Sequence, residues 1–181
     1  RKLAVTICED LWDEQPFENE FSRSRLYTRN PLEELSALGP HAIINMAASP
    51  FSHGKMETKQ QIFTGKATRY RLPLLYCNLV GGQSELIFEG GSLAIHPTGR
   101  VSARLPYFRE DLLICDLDEL AGSETRPSPG DLPGRIESIA HALICGIRDY
   151  FGKLEFRTAT LGLSGGIDSA VTLALAVKAL G

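Results

Sequence analysis

A short apolar run that ends directly in reactive polar residues constrains the fold of this chain most. Leu3 to Ile7 are apolar and partly β-branched, which predicts a buried β-strand. The run leads straight into Cys8, Glu9 and Asp10. A strand holds such side chains still at the edge of a sheet while leaving them reachable. Cys8 is therefore a candidate nucleophile, because a thiolate is the strongest nucleophile among protein side chains.

The alternative interpretation of Cys8 is a core residue, since free cysteine is among the most buried residue types. The two acids that follow it, Glu9 and Asp10, argue against this alternative. A strand that serves only packing seldom ends in adjacent carboxylates, because their charges need solvent or partners.

A second apolar run, His41 to Ala48, ends in Ser49. Helical patterns at Pro31 to Leu38 and at Met56 to Arg71 flank it, so the segment predicts an α/β fold with parallel strands. Ligand sites in such sheets gather at the carboxyl ends of the strands. We therefore expect Cys8 and Ser49 to share one pocket, although a serine before proline also suits a simple turn.

The segments around these elements complete the first half of the chain. Residues 13–30 are polar and irregular, and we expect a solvent-facing insertion or a flap near the site. Glu89 is predicted to be a surface carboxylate, with a position pointing into the active site as the alternative. Further strands are predicted at Leu74 to Val80, Leu86 to Glu89, Ser92 to His96, Val101 to Leu105 and Leu112 to Leu117.

A glycine-rich loop near the end of the chain is the second motif. A predicted strand, Thr158 to Gly162, leads into the loop, and a predicted helix, Ala170 to Leu180, follows it. Two glycines let backbone N–H groups approach a phosphate, and the helix N-terminus adds its positive dipole end. An ordinary tight turn with a serine cap is the weaker alternative. The loop consists of Ser164, Gly165, Gly166, Ile167, Asp168 and Ser169.

Two side-chain types in this loop suit a nucleotide. Ser164 and Ser169 supply hydroxyl donors to phosphate oxygens. Asp168 suits an anion site where a Mg²⁺ ion bridges the carboxylate to the phosphates. The loop lacks the lysine of a Walker loop, so a different phosphate-binding class is indicated.

Composition excludes several classes of function. Hydrophobic residues make up 43% and charged residues 23% of the chain, and the net charge of −3 indicates neither nucleic acid nor an anionic membrane as partner. The apolar runs are too short to span a bilayer. The cysteines form no CxxC pair, so no zinc site is indicated, and a reducing, cytoplasmic location is expected. Core positions are predicted for Cys77, Cys115 and Cys145.

The two motifs together resemble a known family. Ile7-Cys8-Glu9-Asp10-Leu11-Trp12 resembles the nucleophile region of nitrilase-like glutaminase domains. Leu163-Ser164-Gly165-Gly166-Ile167-Asp168-Ser169 resembles the SGGxDS signature of ATP pyrophosphatases. A nitrilase-like domain followed closely by this loop is typical of glutamine-dependent NAD(+) synthetases.

This resemblance implies a fold and a domain division. Residues 1–120 are expected to be the C-terminal part of a nitrilase-like domain, an α-β-β-α sandwich. A Pro- and Gly-rich linker is expected at 121–134. Residues 135–181 are expected to begin the synthetase domain with the first β-α unit of a Rossmann-like ATP pyrophosphatase.

The resemblance also implies the chemistry. Cys8 would attack the carboxamide of glutamine, while Ser49 and Lys55 would hold the substrate's amino-acid end. The loop from Ser164 to Ser169 would bind the pyrophosphate end of ATP, which activates deamido-NAD(+) so that ammonia gives NAD(+). Mg²⁺ at Asp168 and assembly into homo-oligomers are expected too. Without the resemblance, Lys55 fits a solvated lysine at a helix start equally well.

Two rival functions stay open at this point. One is a stand-alone amidase with a non-catalytic nucleotide-binding extension, and the other is a non-catalytic ATP-binding or assembly domain with an inert Cys8. The sequence is expected to be an internal fragment. In the family, the general-base Glu and the oxyanion-stabilising Lys lie upstream of the cysteine, so these residues alone are expected not to hydrolyse glutamine.

Overall fold

The computed structural model describes residues 1–12, 29–122 and 132–181. Most of the predicted insertion at 13–30 and of the linker at 121–134 therefore lies outside the described residues. The strands are β1 (Leu3–Ile7), β2 (Ala42–Ala47), β3 (Leu74–Asn78), β4 (Val80–Gln83), β5 (Leu86–Glu89), β6 (Leu93–Ile95) and β7 (Val101–Arg104). The α-helices are α1 (Pro31–Ser36), α2 (Lys55–Tyr70), α3 (Leu117–Gly122), α4 (Arg135–Lys153) and α5 (Ile167–Leu180).

One five-stranded mixed sheet organises the first part of the chain. Its order is β1-β2-β3-β6-β7, with β1, β2 and β3 parallel and with β6 and β7 antiparallel to their neighbours. Strands β4 and β5 form a separate antiparallel pair. The carboxyl ends of β1, β2 and β3 therefore meet at one edge, as the α/β prediction requires.

The core lies between one face of this sheet and helices α1 and α2. Strand alternation turns Ala4 and Thr6 toward the helices and leaves Leu3, Val5 and Ile7 exposed on the opposite face. The largest fully buried apolar side chains in the core are Phe63, Leu11, Leu32, Ile43, Leu74 and Ile95. A mixed α/β fold is confirmed.

Two predicted strands are absent. Residues 112–116 lie in no regular element, Leu112 and Ile114 are 84% and 88% exposed, and α3 begins at Leu117. Residues 156–164 are likewise irregular and exposed, so the predicted strand Thr158 to Gly162 is wrong here. An apolar run becomes a strand only where a neighbour completes its hydrogen bonds, and the described residues offer neither run such a neighbour.

Helix α4 packs against the β4–β5 hairpin, and its side chains form hydrogen bonds with the hairpin backbone. The Gly82 N–H donates to Asp149 Oδ2 at 2.6 Å, and Lys153 Nζ donates to the Gly82 carbonyl. A Cβ at Gly82 would lie 3.4 Å from the Gly146 backbone, so small residues allow the approach. The predicted domain division at 121–134 stays a prediction.

None of the helices in the described ranges is long and apolar enough to cross a membrane.

Candidate active site

Cys8 occupies the predicted place at the end of β1, and the backbone there turns sharply. Residues Cys8–Leu11 form one turn of 3₁₀ helix, and Cys8 itself has a φ of 45°. A positive φ at a non-glycine residue costs about 1–2 kcal/mol. The Asp10 carboxylate stabilises the turn by accepting from the Ile7 N–H at 2.8 Å. The half-buried thiol is thus held by a strained turn on a rigid strand.

A buried asparagine supports this turn from inside the sheet. Asn45 is fully buried on β2, and its Nδ2 donates to Thr6 Oγ1 at 3.0 Å and to the Cys8 carbonyl at 3.3 Å. These hydrogen bonds tie the backbone of the nucleophile candidate to the neighbouring strand. Sequence reasoning missed Asn45, although a polar residue inside an apolar strand run is a usable signal.

A second buried asparagine holds the segment that carries Ser49. The Ser49 N–H donates to Asn78 Oδ1 at 3.0 Å, and Asn78 Nδ2 donates to the Gly90 carbonyl at 3.0 Å. Asn78 lies at the end of β3, so it links the ends of β2 and β3 to the segment after β5. Ser49 is half-buried beside this network.

Cys8 and Ser49 both lie within electrostatic reach of one hydroxyl, that of Tyr76 on β3. Burial raises the pKa of Tyr76 far above its ordinary value of 10.0, and the charges of Glu89 and Cys8 raise it further. The nearby Ser49 hydroxyl lowers the pKa. The strand ends thus bring the two predicted residues around one tyrosine.

Lys55 begins helix α2 and is exposed. Its charge acts on the carboxyl group of Glu89. Burial raises the pKa of Glu89, whereas the charges of Lys59 and, more weakly, Lys55 lower that pKa. Lys59 Nζ and Glu89 Oε1 form an ion pair in which both side chains are buried. The prediction of Glu89 as a surface carboxylate is therefore wrong, because a lysine one helix turn after Lys55 neutralises it inside the fold.

One groove on the surface lies apart from these residues. A groove of ≈ 660 Å³ lies along the ends of β2 and β3 and is lined in part by Met46, Cys77 and Asn78. Neither Cys8 nor Ser49 lines it, so the groove and the candidate site are different parts of the surface. Cys77 is exposed, which contradicts the prediction of a core position, whereas Cys145 is buried and Cys115 is half-buried.

The glycine-rich loop adopts the geometry of a helix start. Gly165 has a φ of 85°, which favours glycine, and Gly166 caps α5, which begins at Ile167. The Ser164 and Ser169 hydroxyls lie 3.1 Å apart, and Ser169 Oγ donates to the Gly166 carbonyl at 2.9 Å. The loop is exposed except for the half-buried Ser169, and these hydrogen bonds are local.

Asp168 is exposed in the first turn of α5. Within residues 1–12, 29–122 and 132–181, no three His, Cys, Asp or Glu side chains could hold a metal ion by themselves. Mg²⁺ keeps several waters and often binds through one or two carboxylates together with substrate phosphates, so a single Asp168 fits an ion that arrives with a nucleotide.

Family comparisons divide the chain in two. A carbon-nitrogen hydrolase family model matches residues 25–126, and an NAD synthase family model matches residues 139–181. The first match includes Ser49 and Lys55, and the second includes the glycine-rich loop.

Curated relatives match nearly the whole chain. The glutamine-dependent NAD(+) synthetase of Synechocystis is 41% identical over 99% of this chain, and that of Rhodobacter capsulatus is 35% identical over 99%. The chain spans about a third of the length of these relatives, 32% and 30% respectively.

Two solved structures also match nearly the whole chain, and the chain covers only part of each of them. The glutamine-dependent NAD+ synthetase of Acinetobacter baumannii, in complex with adenosine diphosphate, has a TM-score of 0.80 and 34% identity, and the match covers 99% of this chain and 31% of that one. The synthetase of Cytophaga hutchinsonii has a TM-score of 0.71 at 21% identity, over 98% of this chain and 25% of that one, which is a likeness of fold.

Proposed function

Because the chain belongs to the carbon-nitrogen hydrolase family, we propose that Cys8 is the nucleophile of a glutaminase site within a glutamine-dependent NAD(+) synthetase. One observation carries this proposal. The chain combines a thiol at a strand end with a glycine-rich loop, and relatives named glutamine-dependent NAD(+) synthetase match the chain across both features. A stand-alone amidase would have no use for the loop.

The first half-reaction is the release of ammonia. The Cys8 thiolate attacks the carboxamide carbon of glutamine, and the tetrahedral adduct collapses to a thioester as ammonia leaves. Water then cleaves the thioester, which frees glutamate and returns the thiol. Ser49 and Lys55 hold the amino-acid end of the substrate, with the Lys55 ammonium facing the α-carboxylate.

The second half-reaction consumes the ammonia. The loop from Ser164 to Ser169 binds the pyrophosphate end of ATP through backbone N–H groups and its two hydroxyls. ATP adenylates the carboxylate of deamido-NAD(+) and releases pyrophosphate, and ammonia then displaces AMP to give NAD(+). Mg²⁺, when bound with ATP, neutralises phosphate charge, and Asp168 is the side chain that would hold it.

The setting of this activity is proposed on separate grounds. All four cysteines are free, which supports a reducing compartment, and we infer a cytoplasmic location. Assembly into homo-oligomers is retained as an expectation from the resemblance.

The test is a pair of NAD(+) assays on the intact protein, one supplied with glutamine and one with ammonia. Cys8→Ala should lower glutamine-dependent synthesis by about 10³-fold or more and leave ammonia-dependent synthesis intact. Asp168→Asn should lower both. Cys77→Ala, which removes an exposed thiol elsewhere, is the matched control.

Two results would contradict the proposal. Glutamine-dependent synthesis that survives Cys8→Ala would exclude the nucleophile. Glutamine hydrolysis without any ATP-dependent formation of NAD(+) would instead favour an amidase with a non-catalytic nucleotide-binding extension.

A further inference from the structure

Two side chains of helix α4 bind both backbone polar groups of one residue, Gly82 in the β4–β5 hairpin. The Asp149 carboxylate accepts from the Gly82 N–H at 2.6 Å. Lys153 Nζ donates to the Gly82 carbonyl and, at 3.2 Å, to Gln83 Oε1. Asp149 and Lys153 are four residues apart, so they project from the same face of the helix. Because hydrogen bonds to charged groups are stronger than neutral ones, α4 holds the hairpin firmly by its backbone.

Glycines on both sides allow this close approach. A Cβ at Gly82 would lie 3.2 Å from Asp149 Cβ, and a Cβ at Gly146 would lie 2.9 Å from Ile87 Cδ1. Gly81 has a φ of 123°, and a Cβ there would lie 2.8 Å from Asp149 Oδ2. Larger residues at these positions would push the helix and the hairpin apart, so the sequence of both elements is fitted to the contact.

The hairpin in turn pairs with the chain just after Ser49. The Phe51 N–H donates to the Ile87 carbonyl at 2.7 Å, and Pro50 and Phe88 form an antiparallel bridge. Strand β5 therefore has β4 along one edge and the residues after Ser49 along the other. Since these hydrogen bonds join backbone to backbone, a shift of the hairpin moves the backbone next to Ser49 with it.

Helix α4 also contacts the chain next to Lys55. Ser138 Oγ lies 3.9 Å from Met56 Sδ, and Met56 follows Lys55 in the first turn of α2. Both Ser138 and Met56 are buried, so this contact belongs to the interior of the fold. The start of α2 is thus packed directly against α4.

An aromatic contact joins the same helix to Phe51. The ring centroid of Phe108 lies 5.5 Å from that of Phe51 and 6.2 Å from that of His141 on α4. Such separations are typical of packed aromatic pairs. The 49–56 segment, which carries both proposed glutamine contacts, is therefore supported by α4 near each of its ends.

We propose that Asp149 and Lys153 are positioning residues for glutamine. They fix the β4–β5 hairpin, which fixes the 49–56 segment and with it Ser49 and Lys55. This inference rests on the proposed function, in which Ser49 and Lys55 hold the amino-acid end of the substrate. Asp149 and Lys153 lie in the region that the NAD synthase model matches, and the segment lies in the region that the carbon-nitrogen hydrolase model matches. A helix of one matched region thus completes the substrate site of the other.

The kinetic test uses the intact protein. Asp149→Ala should raise the KM for glutamine by about 10-fold, because the hairpin loses its charged acceptor and the segment that holds the substrate shifts. The kcat for glutamine hydrolysis and the ammonia-dependent synthesis of NAD(+) should change little. Asp149→Asn keeps an oxygen that accepts from the Gly82 N–H, and its KM should stay within about 3-fold of the wild-type value. Lys153→Met keeps the aliphatic stem but removes the donor, and it should raise the KM by about 3-fold.

Hydrogen–deuterium exchange tests the link between α4 and the segment without any substrate. The Phe51 amide, which donates to the Ile87 carbonyl, should exchange at least about 5-fold faster in Asp149→Ala than in the wild-type protein. The matched control is Glu137→Ala, which removes an exposed carboxylate from the first turn of the same helix. It should change neither the exchange of Phe51 nor the KM for glutamine.

Three results would overturn the proposal. The first is a folded Asp149→Ala variant with a wild-type KM for glutamine or wild-type exchange at Phe51. The second is an equal loss of ammonia-dependent synthesis, which would mean that Asp149 serves the fold in general. If Asp149→Ala does not fold, Lys153→Met decides, and an unchanged KM is the third. Faster exchange at Phe51 in a protein whose wild type hydrolyses no glutamine would instead refute the proposed function and leave the link between α4 and the segment in place.

Discussion

The Cys8 region and the Ser164–Ser169 loop differ in what holds them. Cys8 lies on a sheet whose strands come from distant parts of the chain, and Asn45 and Asn78 fix the strand ends from inside. The loop is largely exposed, and its described hydrogen bonds join residues at most five positions apart. The first region is thus organised by tertiary contacts and the second by local backbone geometry.

The difference indicates how each region meets its ligand. A nucleophile needs a fixed position before substrate binds, and a network of buried hydrogen bonds supplies that position. A phosphate cradle needs only backbone N–H groups at a helix start, and glycine conformation supplies these locally. Substitutions should therefore have large, distant effects in the first region and small, local effects in the second.

The largest expected effect is in the core beneath the first region. Phe63 is fully buried against Trp12 and Tyr76, so Phe63→Ala should lower the free energy of unfolding by about 3–5 kcal/mol. Ile167→Ala, at an exposed position within the loop, should change it by less than about 0.5 kcal/mol. Urea denaturation of both variants measures this, and equal losses would contradict the comparison.

The next effect tests the buried hydrogen bonds. Asn78→Ala leaves the Ser49 N–H and the Gly90 carbonyl without their partner, at a cost of about 1–3 kcal/mol for each group left unsatisfied. The matched variant in the loop, Ser169→Ala, removes an exposed local bond and should cost less than about 0.5 kcal/mol. If Ser169→Ala lowers the melting temperature more than Asn78→Ala does, Asn78 does not stabilise the strand ends as described.

Sequence patterns predicted the first region well where the signal was local. Strand ends at Cys8 and Ser49 follow from apolar runs and the residues that stop them. The ion pair of Lys59 and Glu89 escaped prediction because charged residues are usually exposed, and only tertiary packing brings a helix lysine to a strand glutamate. The roles of Cys8, Ser49 and the loop stay predictions.

The sequence misled where a strand required a distant neighbour. The apolar runs at 112–117 and 158–162 have strand-like composition, but composition does not say whether a partner strand lies alongside. Helix α5 begins at Ile167, three residues before the prediction, because Gly166 already provides the cap position. Helix starts depend on local backbone, and strands depend on the rest of the fold.

A smaller effect is expected inside the loop itself. Gly165 has a φ of 85°, so Gly165→Ala should cost about 1 kcal/mol and distort the backbone that presents the N–H groups. Gly166 has a φ of −83°, and Gly166→Ala should cost little in stability. Calorimetric titration of the intact protein with ATP checks the consequence, and affinity should fall more for Gly165→Ala. Equal affinities would mean that the glycine conformation is not what forms the cradle.

The smallest effect leaves the fold unchanged and concerns two thiols outside the candidate site. Burial, and then the Asp149 charge, raises the pKa of Cys145 above its usual value of 9.0, whereas Cys77 is exposed. Only the thiolate reacts with iodoacetamide, so the raised pKa makes Cys145 less reactive at any given pH. Mass spectrometry of the alkylated protein should show Cys77 labelled before Cys145, and Cys145 labelled only as the pH rises well above 9. Early labelling of Cys145 would mean that the packing around this buried thiol on α4 opens readily.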